Sequence, residues 1–190
     1  MLARPRAAAL LGLLVLPAVA AAARQALRLP APVYRTVAVV AGGRIYVLGG
    51  HDSAGGTISD VSVVDPARRS SRRAGTLALP THGAAAANLA GRILVFGGAS
   101  SSVHDVVQQF SPEAGRAHVI GHMPTVRADV SAVVVGRRAI LVGGFNGVGP
   151  QADVWATARG KSFRVVAHLP QPVRYLRSLR SAPPSTSSAV

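Results

Sequence analysis

The 190-residue chain has no cysteine, one lysine and only seven acidic residues. The absence of cysteine excludes disulfides, zinc–thiolate sites, cysteine nucleophiles and a lipid-modified N-terminal cysteine. Aromatic residues make up 4% of the chain, which disfavours a single-stranded nucleic-acid surface built on stacked rings. Arginine supplies nearly all of the formal net charge of +14. This charge favours contact with anionic surfaces and does not by itself define a partner.

The first 23 residues have the three parts of a secretory signal peptide. Arg4 and Arg6 precede an unbroken apolar run over 7–16, and small residues follow Pro17. We therefore predict a signal peptide over 1–23 and a secreted or extracytoplasmic protein. The alternative is an uncleaved N-terminal helix that anchors the protein in a membrane. Because an exported protein meets little nucleic acid, no nucleic-acid partner is expected.

A repeat organises the rest of the chain. Each copy has a glycine doublet after two apolar runs, then an Asp-Val pair, then a Leu-Pro or Met-Pro exit. The doublets are Gly49–Gly50, Gly97–Gly98 and Gly143–Gly144, and they lie 48 and 46 residues apart. Two short β-branched runs around a glycine-containing turn indicate a hairpin of buried strands. Each copy is therefore predicted to hold four strands and no helix.

Four-stranded units of this length are typical of propeller blades. The doublets after Ile-x-Val-x, the Asp-Val step before Asp65-Pro66 and the proline exits resemble the kelch-repeat family. The resemblance covers residues 24–175 and implies an all-β, kelch-type β-propeller. Its three repeats are expected over 34–80, 81–124 and 125–170. The doublets are expected where a Cβ would collide with backbone near the inner edge of a blade.

The aromatic anchors common in kelch blades are missing from most of their expected positions. The tyrosine position falls at Val64, and the tryptophan position falls at about Ser71 and Ala117, with Phe163 near it in the third copy. We therefore expect aliphatic packing between blades and a propeller less stable than is usual for the family.

Three blades do not close a ring, so an incomplete propeller of three blades plus partial flanking blades is expected. Residues 172–175 parallel 32–35 and begin a fourth copy, and the pattern is then lost over 176–190. Back-translated with GC-rich codons, this tail encodes the repeat pattern in a shifted frame. We hypothesise that 176–190 is a frameshift product of a longer, truncated kelch gene. A disordered tail is the alternative, and the open blade faces would permit oligomerisation.

Binding residues favour loops on a rigid scaffold, and the loops and strand connections carry eight candidates. They are His51, Asp52, His104, Asp105, Arg127, Asn146, Arg174 and Tyr175. His118 and His122 have the closest spacing of any two histidines, but four residues on a strand span about 13 Å, too far to share one ion. No metal and no cofactor are predicted. The recurrence of aspartate at 60, 105 and 153 favours a structural role.

The kelch resemblance also implies two classes of enzyme. Copper radical oxidases resembling galactose oxidase need a linked Cys-Tyr pair, which this chain cannot form. Enzymes resembling sialic-acid epimerases use acid–base residues and arginine around the central channel, and Arg127, Asp129, Arg174 and Tyr175 occupy comparable connections. Converging charged residues along the channel would favour such an enzyme. A channel lined by valine, alanine and glycine would favour a scaffold.

No catalytic constellation is found, so an exported, non-catalytic binding scaffold for a protein or cell-surface carbohydrate ligand is predicted. A carbohydrate-active kelch enzyme and a truncated fragment without function are the alternatives. The densest basic cluster, Arg68–Arg73, suits either an anionic surface or a solvated turn.

Overall fold

A computed structural model describes residues 27–175, so the predicted signal peptide (1–23) and the 176–190 tail lie outside the described residues. The described part of the chain holds twelve β-strands and no helix. Accordingly, no helix within 27–175 could span a membrane. The predicted all-β class is confirmed.

The strands form three antiparallel four-stranded blades, each in chain order. The first blade contains β1 (Val37–Ala41), β2 (Arg44–Leu48), β3 (Asp60–Asp65) and β4 (Ser70–Thr76). The second contains β5 (Ala85–Leu89), β6 (Arg92–Ala99), β7 (Val103–Ser111) and β8 (Arg116–His122). The third contains β9 (Ser131–Val135), β10 (Arg138–Val142), β11 (Gln151–Thr157) and β12 (Arg164–Val173).

The alternating strand direction gives each blade two different ends. The turns between its first and second strands and between its third and fourth strands lie at one end, the turn end. The loop between the second and third strands lies at the other end, together with the connection to the next blade. We call this the loop end. The connection that a candidate residue occupies therefore decides at which end of its blade the residue lies.

The glycine doublets lie where backbone from two blades meets. A Cβ on Gly97 would collide with the carbonyl oxygen of Arg127, and one on Gly98 with the hydroxyl of Thr81. The second glycine of each doublet also donates a 2.8 Å hydrogen bond across to the connection that leaves its blade. These bonds join Gly50 to Thr81, Gly98 to Arg127 and Gly144 to Val173. The close approach expected at the doublets is confirmed.

Adjacent blades also meet through glycine at their outer edges, where the C-terminal part of one fourth strand touches the turn between the third and fourth strands of the next blade. The Thr76 amide donates a 3.1 Å hydrogen bond to the carbonyl of Gly115, and a Cβ on Gly75 would collide with that carbonyl. In the next interface, a Cβ on Gly121 would lie 3.0 Å from the carbonyl oxygen of Gly160. A glycine pair thus permits the outer edges of successive blades to touch.

Two buried clusters fill the space between the blades. In the first, Tyr46 and Phe110 lie 6.0 Å apart among aliphatic side chains of blades one and two. In the second, Phe163 packs edge-on against Phe96 and Trp155, each at 6.3 Å. The expectation of aliphatic packing between blades is therefore wrong: Phe110 supplies a ring at the register position of Val64, and Trp155 supplies one from another position on its third strand.

Two strand boundaries differ from the sequence pattern. Gly97 and Gly98 lie inside β6 rather than after it, and β12 continues through Pro170 to Val173. Proline is tolerated in β12 because this strand lies at the edge of its sheet, where an amide donor is not required.

Candidate binding site at the inner edge of the blades

The connections between blades share one unusual backbone conformation. One residue at the start of each repeat has a left-handed φ between 51° and 61°: Arg35, Gly83, Asp129 and Tyr175. Each of the last three donates its amide to the carbonyl of the one before, at 3.0, 2.6 and 3.3 Å. Left-handed backbone is uncommon outside glycine and clusters at functional sites. These three hydrogen bonds form a ladder that holds the connections between blades together at the loop end.

Asp129 organises the charges on this ladder. Its side chain is 2% exposed, its Oδ1 accepts a 2.9 Å bond from Arg35, and its Oδ2 lies 2.7 Å from Nε and Nη2 of Arg174. The Arg174 guanidinium stacks 4.1 Å from the Phe145 ring and 4.7 Å from the Tyr175 ring. Both arginine side chains are about one-third exposed. Two cations against one carboxylate leave one net positive charge.

A cavity of about 450 Å³ opens beside this ion pair. Arg35, Asp129 and Tyr175 line it, together with small residues: Thr36, Gly83, Ala84, Val130 and Ser131. Its volume is within the range of small-molecule sites. The lining therefore combines the converging charges expected of an enzyme with the small side chains expected of a scaffold.

A stacked histidine pair lies between blades one and two at the same end. The ring of His51 lies 5.0 Å from that of Tyr34 and 4.0 Å from that of His82. The Thr57 hydroxyl is 3.0 Å from Nδ1 of His82. Burial, reinforced by the positive charges of His51 and Arg35, lowers the pKa of His82 to about 4. His82 is therefore neutral at physiological pH.

This lowered pKa predicts a loss of stability in weak acid. Well above pH 6.5, His82 is neutral in the folded and the unfolded chain and does not change the free energy of unfolding. As the pH falls from 6.5 towards 4, the unfolded chain binds a proton that the folded chain does not, which lowers the free energy of unfolding by up to about 3 kcal/mol. Urea unfolding at pH 7 and pH 5 should reveal this slope, and His82→Asn should reduce it. His118→Asn, at an exposed position of β8, is the control, and an unchanged slope in His82→Asn would contradict the assignment.

His104 and Asp105 do not lie in a loop, so that placement is wrong. The second blade has a short loop, and β7 begins at Val103. Both ring nitrogens of His104 are buried without a hydrogen-bond partner among the described residues, and burial lowers the pKa of His104. Asp105 instead contacts Nδ1 of His122 at 2.9 Å.

The recurrent aspartates pair across strands with the fourth strand of their own blade. Besides Asp105, Asp60 lies 2.6 Å from Arg73, and Asp153 lies 3.0 Å from His168. Each contact joins the third strand of a blade to its fourth. These contacts support the structural interpretation of the recurrence.

Asp52 and Asn146 shape their own loops. Oδ1 of Asp52 accepts the amides of Ala54 and Gly56, and Oδ1 of Asn146 accepts those of Val148 and Gly149. Such side-chain caps are typical of tight loops. These two candidates lie apart from the charged cluster around Asp129.

Arg127 is buried between blades two and three. Its side chain is 1% exposed, stacks 3.8 Å from the Trp155 ring and donates a 3.1 Å bond to the carbonyl of Gly143. Asp153 lies 3.6 Å from it, and burial lowers the pKa of Arg127. A ligand at the loop end would not reach this side chain.

Of the predicted site residues, the structure brings Arg174 and Tyr175 together around Asp129, with His51 in the neighbouring histidine stack. Sequence reasoning missed Arg35, His82 and Phe145 as site residues. No side-chain motif marks Arg35, and the signal that it shares with Asp129 and Tyr175 is a left-handed backbone that recurs with the repeat. Within 27–175 no group of three or more metal-ligating side chains is present.

The comparisons with known proteins agree with this geometry. The family model of the kelch motif matches residues 32–77. The solved structure of YjhT, a kelch-type propeller, superposes with a TM-score of 0.64 and 17% sequence identity, covering 74% of this chain and 54% of that one. The chain thus spans about half the length of that structure. No curated protein matches it.

Fold and repeat together define the class as a kelch-type β-propeller, here with three described blades. The kelch motif itself is matched over residues 32–77 of the chain.

Proposed function

We propose that the protein is a non-catalytic binding scaffold whose loop end holds a carboxylate-bearing ligand, such as an acidic sugar or an acidic side chain of a protein. The ligand would occupy the cavity beside Arg35 and Tyr175. The exposed parts of the Arg35 and Arg174 guanidinium groups would donate to its carboxylate, because arginine matches carboxylate geometry with paired hydrogen bonds.

The observation that carries this proposal is the double engagement of Asp129. Both of its carboxylate oxygens already accept bonds from arginine. Asp129 therefore fixes two guanidinium groups in place, and its carboxylate, which is 2% exposed, serves as their shared anchor. A fixed pair of donors with one net positive charge suits binding better than acid–base chemistry.

A carbohydrate-active enzyme is the second candidate, because Arg35, Asp129, Arg174 and Tyr175 converge at one end of the blades. In that case the Tyr175 phenol, which belongs to a 59% exposed residue, would be the proton donor, since Asp129 is occupied. The two candidate functions use the same ligand site, and only the enzyme would convert the ligand.

Titration with N-acetylneuraminate and with its uncharged methyl ester tests both candidates. If an arginine pair binds the carboxylate, we expect saturable binding of the acid and at least about ten-fold weaker binding of the ester. Arg174→Gln should weaken binding of the acid by a similar factor, and Arg174→Lys should weaken it less. Arg164→Gln, an exposed arginine on β12, is the matched control.

Proton NMR of the same mixtures separates scaffold from enzyme. An unchanged rate of exchange between the sugar anomers supports the scaffold, and a faster rate that Tyr175→Phe abolishes supports the enzyme. Equal affinity for acid and ester would overturn the carboxylate site in both forms.

Export is part of the same proposal. It is supported by the basic, apolar and small-residue segments of 1–23, which lie outside the described residues. An exported protein would meet the cell-surface carbohydrates and proteins to which this ligand class belongs.

A further inference from the structure

An arginine recurs at the turn end, at the first residue of the second strand in every blade. These residues are Arg44, Arg92 and Arg138. A second arginine lies on the turn between the third and fourth strands, at Arg68 in blade one and at Arg159 in blade three. The turn end therefore carries a repeated set of cations, and their surroundings differ between blades.

Blade one neutralises its own arginines. Asp65 ends β3, and its Oδ2 lies 3.5 Å from Nε of Arg44 and 2.8 Å from Nη1 of Arg68. Its Oδ1 also accepts the amide of Arg68 and closes the turn. These bonds to Arg68 lower the pKa of Asp65, so this carboxylate stays charged.

Blade three closes the same turn without a charge. Thr157 ends β11, and its hydroxyl accepts the amides of Arg159 and Gly160 at 3.4 and 2.8 Å. This cap carries no charge, and Ala158, which stands at the register position of Asp65, leaves Arg159 without a neighbouring carboxylate. The capping role is kept, while the neutralising role is lost.

At the turn end, a cleft of about 600 Å³ lies between blades two and three. It is lined by Arg92, Arg137 and Arg159 and by the small or apolar residues Leu89, Ala90, Gly136 and Ala158. Arg92 donates a 3.4 Å bond to the carbonyl of Arg159, which links two of the three turns. None of the ion pairs formed within 27–175 involves these three arginines.

No acidic side chain within residues 27–175 is available to neutralise this cleft. All seven acidic side chains lie within the described residues. Six are engaged elsewhere by the loop amides, arginines and histidines described above, and the seventh, Glu113, does not line the cleft. The cleft therefore carries three positive charges that no acidic side chain balances, which favours an anionic ligand.

We propose that this cleft binds a ligand bearing several phosphate groups. Three guanidinium groups from separate turns suit a multivalent phosphate, because each can donate paired hydrogen bonds to phosphate oxygens. A single monovalent anion would leave the site under-neutralised. The same groups could come from a soluble oligophosphate or from phospholipid headgroups. The site lies at the opposite end of the blades from the Asp129 site and does not depend on it.

Titration of the full chain with tripolyphosphate tests the proposal, with the fluorescence of the single tryptophan, Trp155, as the signal. Saturable binding that weakens with added salt is expected. Arg137→Gln and Arg159→Gln should each weaken it about ten-fold, since each removes one charged hydrogen-bonding partner. Arg137→Lys should restore part of the affinity. Both variants change exposed side chains, and equal melting temperatures would show that the fold is kept.

Arg44→Gln is the matched control, because it removes the equivalent arginine from the blade that carries its own carboxylate. It should change the affinity less than two-fold, and Arg174→Gln should leave it unchanged. Vesicles of phosphatidylglycerol, compared with phosphatidylcholine, identify a lipid source. Arginine-dependent binding to either probe supports the site. Binding to neither, or equal losses in Arg44→Gln and Arg137→Gln, overturns it.

Discussion

Gly97→Ala is expected to unfold most of the protein. The new Cβ would collide with the carbonyl oxygen of Arg127, which is backbone and cannot rotate away, and with the end of the Met123 side chain. That same carbonyl receives the Gly98 amide at 2.8 Å, so relieving the collision breaks an interblade hydrogen bond. A loss above about 4 kcal/mol is expected, a large part of the stability of a typical domain. Urea unfolding followed by Trp155 fluorescence measures it.

Gly42→Ala isolates the collision from the backbone strain. Gly42 has a φ of 55° against 57° for Gly97, and a Cβ there meets nothing within 4 Å. Its cost is therefore the left-handed backbone alone, about 1 kcal/mol. If both variants lost the same free energy, the steric explanation of the doublets would be incorrect.

Asp129→Asn is expected to lower the free energy of unfolding by about 3 kcal/mol. It removes a carboxylate that is 2% exposed and leaves Arg35 and Arg174 facing each other without their shared anion. Asparagine tolerates the left-handed backbone that Asp129 adopts, so the loss reports the charge and not the φ of 51°. The variant should also abolish binding of a carboxylate at the loop end. Chemical denaturation and ligand titration measure the two effects.

Asp60→Asn provides the comparison for an exposed pair. Asp60 lies 2.6 Å from Arg73, but the two side chains are 50% and 61% exposed. Solvent screens such pairs, so a loss below about 1 kcal/mol is expected. A cost for Asp60→Asn that matched Asp129→Asn would mean that burial does not set the strength of the Asp129 cluster.

The fold was predictable because its determinants are local and repeated. Glycine doublets, Asp-Val steps and proline exits recur at nearly constant spacing, and each has a steric or hydrogen-bonding reason that acts within one blade or its neighbour. The interblade rings were less predictable. Phe110 holds the anchor position that Val64 takes in blade one, whereas Trp155 fills interblade space from another position, which only three-dimensional packing reveals.

The site was predictable only in part, because its residues differ in type. Arg35, Gly83, Asp129 and Tyr175 share a backbone position and nothing in their side chains, so no motif marks them. The loop candidates Asp52 and Asn146 follow a sound rule about binding loops, yet their side chains are used to close those loops. At the turn end, Ala158 stands where blade one has Asp65 and Thr157 caps the turn instead, which becomes visible only once the strand pairing is known.

The glycine pairs at the outer edges of the blades restrict what can stack on the two outermost blades. The residue one repeat after Gly121 is Ala167, and the turn position that holds Gly115 and Gly160 is occupied in blade one by Arg69, with a φ of 51°. A ring closed by a second copy would therefore set an alanine against an arginine where the internal interfaces set glycine against glycine. Both side chains would enter space that the internal blades leave to backbone, so a ring of two chains would have two wide interfaces between the chains and four narrow ones within them, rather than uniform rotational symmetry.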